Sequence, residues 1–200
     1  MPKPSYSGLN INLSEDEVSQ EIDLKPLLGE AANDPVVQQE ASQALLDFML
    51  ERIEQKNQGI GGKKLKSPYA KSYEESQSFA AFGKSSSDIN MKLSGDMIGS
   101  MDVLETGDTV KIGIQDSLQA AKAYGHITGF EGHPNEDKMK KYQREFFGLS
   151  KKEQEAALKE ISDEVKRNPQ SFGIGVTAAD VLRGAISDQA ILSLARRLLG

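Results

Sequence analysis

An α+β fold is what this sequence predicts, and three observations carry the prediction. Apolar residues recur at three- and four-residue steps from Val37 to Ile53, the signature of a long amphipathic helix. Apolar and polar residues alternate on both sides of Thr106-Gly107-Asp108, as in a β-hairpin with one buried face. Helix-start signals then recur after the hairpin, so helices end the chain as well as begin it.

The elements follow in order. Residues 1–33 are polar, with one short helix expected at Ser14-Glu15-Asp16-Glu17, which has capping-box spacing; the stretch reads as an N-terminal arm. Asp34 is a good N-cap and Pro35 a good first helical residue. Val37, Ala41, Ala44, Leu45, Phe48 and Ile53 then form the stripe, which stops before Gly59-Ile60-Gly61-Gly62. Ser72 and Glu75 open a second helix towards Phe82, with Tyr73 and Phe79 as packing groups. Ile89, Met91 and Leu93 alternate as a strand would. Ser94 is then placed to cap a short helix whose buried side is Met97, Ile98 and Met101, with Asp96 in its first turn.

Asp102–Glu105 and Val110–Ile114 are the hairpin strands. Ser117–Tyr124 is alanine-rich and helical, and a loop of Gly, His, Pro and Asn fills 125–137. Ser150 and Glu153 form the clearest capping box, opening a helix to about Lys166. Residues 168–200 form a C-terminal helical arm, in which Ile191, Leu194 and Leu198 share a face meant for a neighbour. The body of the protein is 34–167. No internal repeat is present.

Composition narrows the function. With 38% hydrophobic residues, 6% aromatics and no Trp in 200 residues, a smaller core with packing arms fits better than one large core. Thirty acidic against 24 basic residues give a net charge of −6, unlike a dedicated nucleic-acid binder. The absence of cysteine excludes disulfides, thiolate metal sites and cysteine nucleophiles. No apolar run approaches the ~20 residues that span a bilayer, and the first residues lack a signal peptide's apolar stretch, so a cytosolic protein is expected.

Candidates for chemistry are weak. His126 and His133 lie near Glu131 and Asp137, which is metal-ligand chemistry without the rigid spacing of a zinc site. Ser94 lacks the Gly-x-Ser-x-Gly elbow of a hydrolase nucleophile, and capping explains it. The basic runs Gly61-Gly62-Lys63-Lys64 and Lys138-Met139-Lys140-Lys141 lack phosphate-loop order and read as solvated faces or passing contacts with DNA phosphates. Phe146 and Phe147, just before a capped helix, either pin that helix or fill a partner's pocket. No catalytic, cofactor or metal residue is assigned.

The blocks SPYAKSYEES, INMKLSGDMIGSM, AAKAYGHITG and REFFGLSKKE, in that order, resemble the virion-morphogenesis and tail-completion proteins of tailed bacteriophages. Leu93, Ser94, Gly95, Asp96, Met97 and Ser100 match one block, His126 and Gly129 the next, and Arg144, Phe146, Gly148, Leu149 and Ser150 the last. The matching part is roughly 35–165. Where relatives often have Pro between the Arg and the Phe, this chain has Glu145, and the two arms have no counterpart. The resemblance implies a non-catalytic structural protein of the virion neck, made in the host cytoplasm. It would form a homo-oligomeric ring, a hexamer or dodecamer, between portal or connector proteins and the tail tube or terminator. DNA would pass through the lumen. A tail terminator or another minor capsid or assembly factor is the alternative, and a metal-dependent enzyme using His126 and His133 a more distant one. Leu93–Met97, His126, Gly129, Arg144, Phe146–Leu149 and the Ile191, Leu194, Leu198 face are the interface or structural candidates.

Overall fold

The computed structural model describes residues 8–65, 69, 71–81, 83, 91, 95–130 and 134–168. It is an α+β fold: a four-stranded antiparallel sheet carries helices on one face. The strands are β1 (Asn10–Leu13), β2 (Val18–Asp23), β3 (Asp102–Glu105) and β4 (Thr109–Ile114), in the spatial order β1-β2-β4-β3. Register explains the single buried face. Val18 lies opposite Ile114, Gln20 opposite Ile112 and Ile22 opposite Val110, so these six side chains point the same way. All six are buried. The other face is polar, and Lys111 there reaches Glu17 at 3.1 Å and Glu105 at 3.5 Å.

Two helices cover the apolar face. Preceded by the short α1 (Lys25–Leu28), helix α2 (Pro35–Glu54) starts as its sequence directs, with Asp34 accepting hydrogen bonds from the amides of Val36 and Val37. Val37, Ala41, Leu45, Met49 and Ile53 are fully buried along it. Two short helices, α3 (Lys71–Glu74) and α4 (Gln77–Ala81), and the single turn α5 (Asp96–Gly99) lead to the hairpin. Helix α6 (Ser117–Thr128), capped by the Asp116 side chain, packs on β2, β4 and α5. Then come α7 (Glu136–Met139), α8 (Lys151–Ala157) and α9 (Lys159–Arg167), and α9 packs on α1 and α2.

Several expectations need correction. Residues 10–33 are not an arm: they supply β1 and β2, and Val18, Ile22, Leu24, Leu28, Ala31 and Ala32 are core. Ser14–Glu17 opens no helix. Its hydroxyl and the Glu17 backbone exchange hydrogen bonds of 3.0 Å across the β1–β2 turn, the same short-range chemistry as a cap. The single helix expected from Ser72 is two pieces, broken at Glu75-Ser76, and Phe82 lies outside the described residues. Ile89 and Leu93 also lie outside them, while Met91 has a left-handed backbone (φ 60°) that no strand would hold. The helix opened by Ser150 divides at Leu158. The C-terminal arm, with Ile191, Leu194 and Leu198, lies outside the described residues.

Candidate functional site

The segment Arg144–Ser150 holds five of the predicted residues, Arg144, Phe146, Phe147, Gly148 and Leu149. It has almost no regular hydrogen bonding of its own, so side chains from distant elements supply the partners its buried backbone requires. Gln20, on the core face of β2, does this as a strand would: its carboxamide oxygen accepts from the Leu149 amide at 2.7 Å and its NH2 donates to the Leu149 carbonyl at 3.0 Å. Arg52, on the buried stripe of α2, donates to the Gly148 carbonyl at 2.8 Å and the Phe146 carbonyl at 2.6 Å. The same guanidinium meets Glu153 at 2.9 Å.

Glu153 completes the latch. Its second oxygen accepts from the Ser150 amide (2.9 Å), the Ser150 hydroxyl (2.7 Å) and the Gly61 amide (2.9 Å), so the predicted capping box is present and does more than cap. Burial alone would raise the pKa of this carboxyl. The Ser150 hydroxyl and amide, the Arg52 charge and the Gly61 amide outweigh burial and hold it below the usual carboxylate value. With the backbone fixed, Phe146, Phe147 and Leu149 are driven fully into the core. The two phenylalanines therefore pin the helix to the sheet.

Gly148 is required by geometry. Its φ is 104°, and a Cβ there would stand 2.6 Å from the Ile11 side chain.

At the other end, the Arg144 amide donates to the His126 carbonyl at 2.7 Å, and its guanidinium lies 3.4 Å from His126 Nδ1. The guanidinium also stands 5.0 Å over the ring of Tyr69, which meets Tyr73 and Phe79 in a tilted and edge-on aromatic cluster. Burial lowers the Arg144 pKa, with the Tyr69 and Tyr73 phenols acting in the opposite sense. His126 is in the last turn of α6, not in a loop as expected, and its ring packs edge-on against Phe130. Enclosure of the ring, aided by the Arg144 charge, takes its pKa down from 6.5 to about 4. It is a neutral acceptor at neutral pH. Gly129 ends α6 in the left-handed conformation (φ 74°) that such a terminus requires.

The earlier block falls nearby, since α5 packs on α6. Gly95 (φ 96°) occupies the N-cap position expected for Ser94, Asp96 is exposed, and Met97 is buried. Leu93, Ser94 and His133 lie outside the described residues. Among the described residues no three His, Asp or Glu side chains converge as metal ligands, and no helix is long and apolar enough to cross a membrane.

Beside Arg144 opens a cleft of about 330 Å³, whose lining includes Lys63 and Lys64 from the segment after α2 and Lys140, Gln143, Arg144 and Glu145 from the segment before α8. The two basic runs that read as separate solvated faces are thus brought together. Arg52, Gln20 and this convergence were missed from sequence. An arginine on the same helical face as Met49 and Ile53 was the one available signal for Arg52.

Comparisons with protein-family models, curated proteins and solved structures give no match for this chain.

Proposed function

We propose that this protein is a structural component of a tailed-phage neck. In this reading it assembles as a ring that completes the tail or joins it to the portal or connector, with DNA passing through the lumen. It is synthesised in the host cytoplasm and retained in the virion. The observation that carries the reading is where the ordered motif blocks fall. Met97 fills the core, Gly129 closes α6, and Arg144–Ser150 is clamped by Gln20, Arg52 and Glu153. These described residues are spent on holding local shape, which is what a subunit repeated around a collar requires. The acidic balance suits a channel that lets DNA slide without gripping it.

Removal of the gene from its phage tests this. DNA-filled heads and separate or misbuilt tails are expected to accumulate, and a reconstruction of the wild-type neck should show a ring of density that fits this fold. Intact, infectious particles without the protein would defeat the proposal. Substrate turnover that vanishes with His126→Ala and His133→Ala would favour the enzymatic alternative.

A further inference from the structure

Among the described residues, exposed carboxylates gather at one end of α6 and cationic side chains at the other. The helix has 12 residues, so its ends are about 18 Å apart at ~1.5 Å per residue. At its N-terminal end the β1–β2 turn presents Glu15 and Asp16, at the same end of the sheet as Asp102 at the start of β3 and the capping Asp116; all four are exposed. At its C-terminal end lies the cleft. Its wall is tied to α6 by hydrogen bonds from the Arg144 amide to the His126 carbonyl and from the Gln143 side chain to the Ile127 carbonyl. The lining carries four cationic side chains against one carboxylate. Lys140 also meets Asp137 at 3.6 Å. Lys63 and Lys64 are exposed and form no ion pair among the described residues, and the same holds for Glu15 and Asp16.

From this arrangement we infer that the cationic cleft receives the acidic sheet end of a second copy of the chain, in a head-to-tail contact. The inference rests on the ring reading and specifies its joint. Two different patches at opposite ends of one rigid helix give a heterologous contact, which repeats from copy to copy and closes into a ring when the rotation per copy allows. The pattern of charge, not its sum, favours a copy over nucleic acid as the occupant. Both carry net negative charge, but a nucleic acid is uniformly anionic and meets repulsion everywhere outside the cleft, whereas a copy arriving acidic end first places its carboxylates against the lysines and its own cleft away from them.

Charge exchange on the full chain tests the contact by native mass spectrometry and sedimentation at low salt. Lys63→Glu with Lys64→Glu, and separately Glu15→Lys with Asp16→Lys, should each weaken assembly roughly tenfold or more, since like charges then meet. An equimolar mixture of the two variants should restore it, as each supplies the complement the other lacks. Wild-type assembly should loosen from about 0.01 M to about 1 M salt. All four positions are exposed, so thermal melts of the variants should match wild type. Melts that match with assembly unchanged would overturn the joint and leave the ring standing. A DNA duplex that binds the cleft and displaces copies would overturn it in favour of nucleic acid. A wild-type chain that stays monomeric at low salt would also overturn it, with the ring then judged by the particle neck alone.

Discussion

The segment from Arg144 to Ser150 is held by buried charge at both ends, and the ends use charge in opposite ways. Near Ser150, Arg52 and Glu153 meet at 2.9 Å, the other Glu153 oxygen accepts from the amides of 61 and 150, and the two Nη nitrogens of Arg52 donate to the carbonyls of 146 and 148. Near Arg144, a guanidinium faces an imidazole across 3.4 Å, and the histidine is kept neutral so that its Nδ1 can accept. One end works by keeping two charges, the other by refusing one. A paired, hydrogen-bonded charge fixes several chain segments at once, whereas a neutralised histidine avoids a penalty but adds little attraction. The first end should therefore dominate stability.

Breaking that end should give the largest effect. Arg52→Ala leaves the Glu153 carboxylate buried without its cation and strips donors from the Phe146 and Gly148 carbonyls. A loss of about 3–5 kcal/mol in urea unfolding is expected for a broken buried pair. Arg52→Lys should recover only part of it, because an ammonium cannot span two carbonyls and a carboxylate with a planar fork. A variant within ~1 kcal/mol of wild type would mean that the latch is worth no more than a surface pair.

Glycine substitutions at the two ends give intermediate effects and sharpen the contrast. Gly148→Ala strains a backbone held at φ 104°, while the Ile11 and Ile60 methyls that its Cβ would meet at 2.6 Å and 3.4 Å stand at the ends of side chains able to shift, at a cost of about 2–3 kcal/mol from backbone strain. Gly129→Ala, at φ 74°, meets the Lys140 Cα at 3.2 Å and should cost about 1–2 kcal/mol, mostly backbone strain. Denaturant melts of the two variants would decide it, and equal losses would contradict the ranking of the ends.

What could be read in the sequence was what is local. The α2 stripe, the hairpin around Thr106–Asp108 and the Ser150 capping box each state their geometry within a few residues, and all three are present. β1 and β2 were hidden for two reasons. Ser14 and Glu17 make the same contacts in a tight turn as at a helix start, and the core position between Val18 and Ile22 holds Gln20, which breaks the apolar alternation. That glutamine is inward because Leu149 needs a partner, 129 residues away. The candidate site shows the same division. Gly129 and Gly148 were singled out only through the motif blocks, and their backbone demands, like the guanidinium clamp and the cleft, exist only once α2, α6 and the 144–150 segment are packed together.

Acid separates the two ends with the smallest perturbation. His126 takes its proton at about 4 in the folded chain and near 6.5 when unfolded. As pH falls below 6.5 the unfolded state binds a proton that the folded state refuses, so stability is full above that value and drains until about 4. Glu153 acts lower down: its folded pKa lies below 4.5, so its contribution is intact above 4.5 and disappears as pH drops through the folded value. His126→Gln keeps an acceptor for Arg144 and cannot titrate. Its stability should be level from pH 6.5 to 4.5, where wild type declines, and the two proteins should then fall together through the Glu153 window. Urea midpoints at half-unit pH steps would show this, and an imidazole resonance titrating near 4 would identify the group. Parallel wild-type and variant curves across the upper window would mean that the histidine is charged in the folded protein, and that the Arg144 end is held by packing on Tyr69 and Phe130 instead.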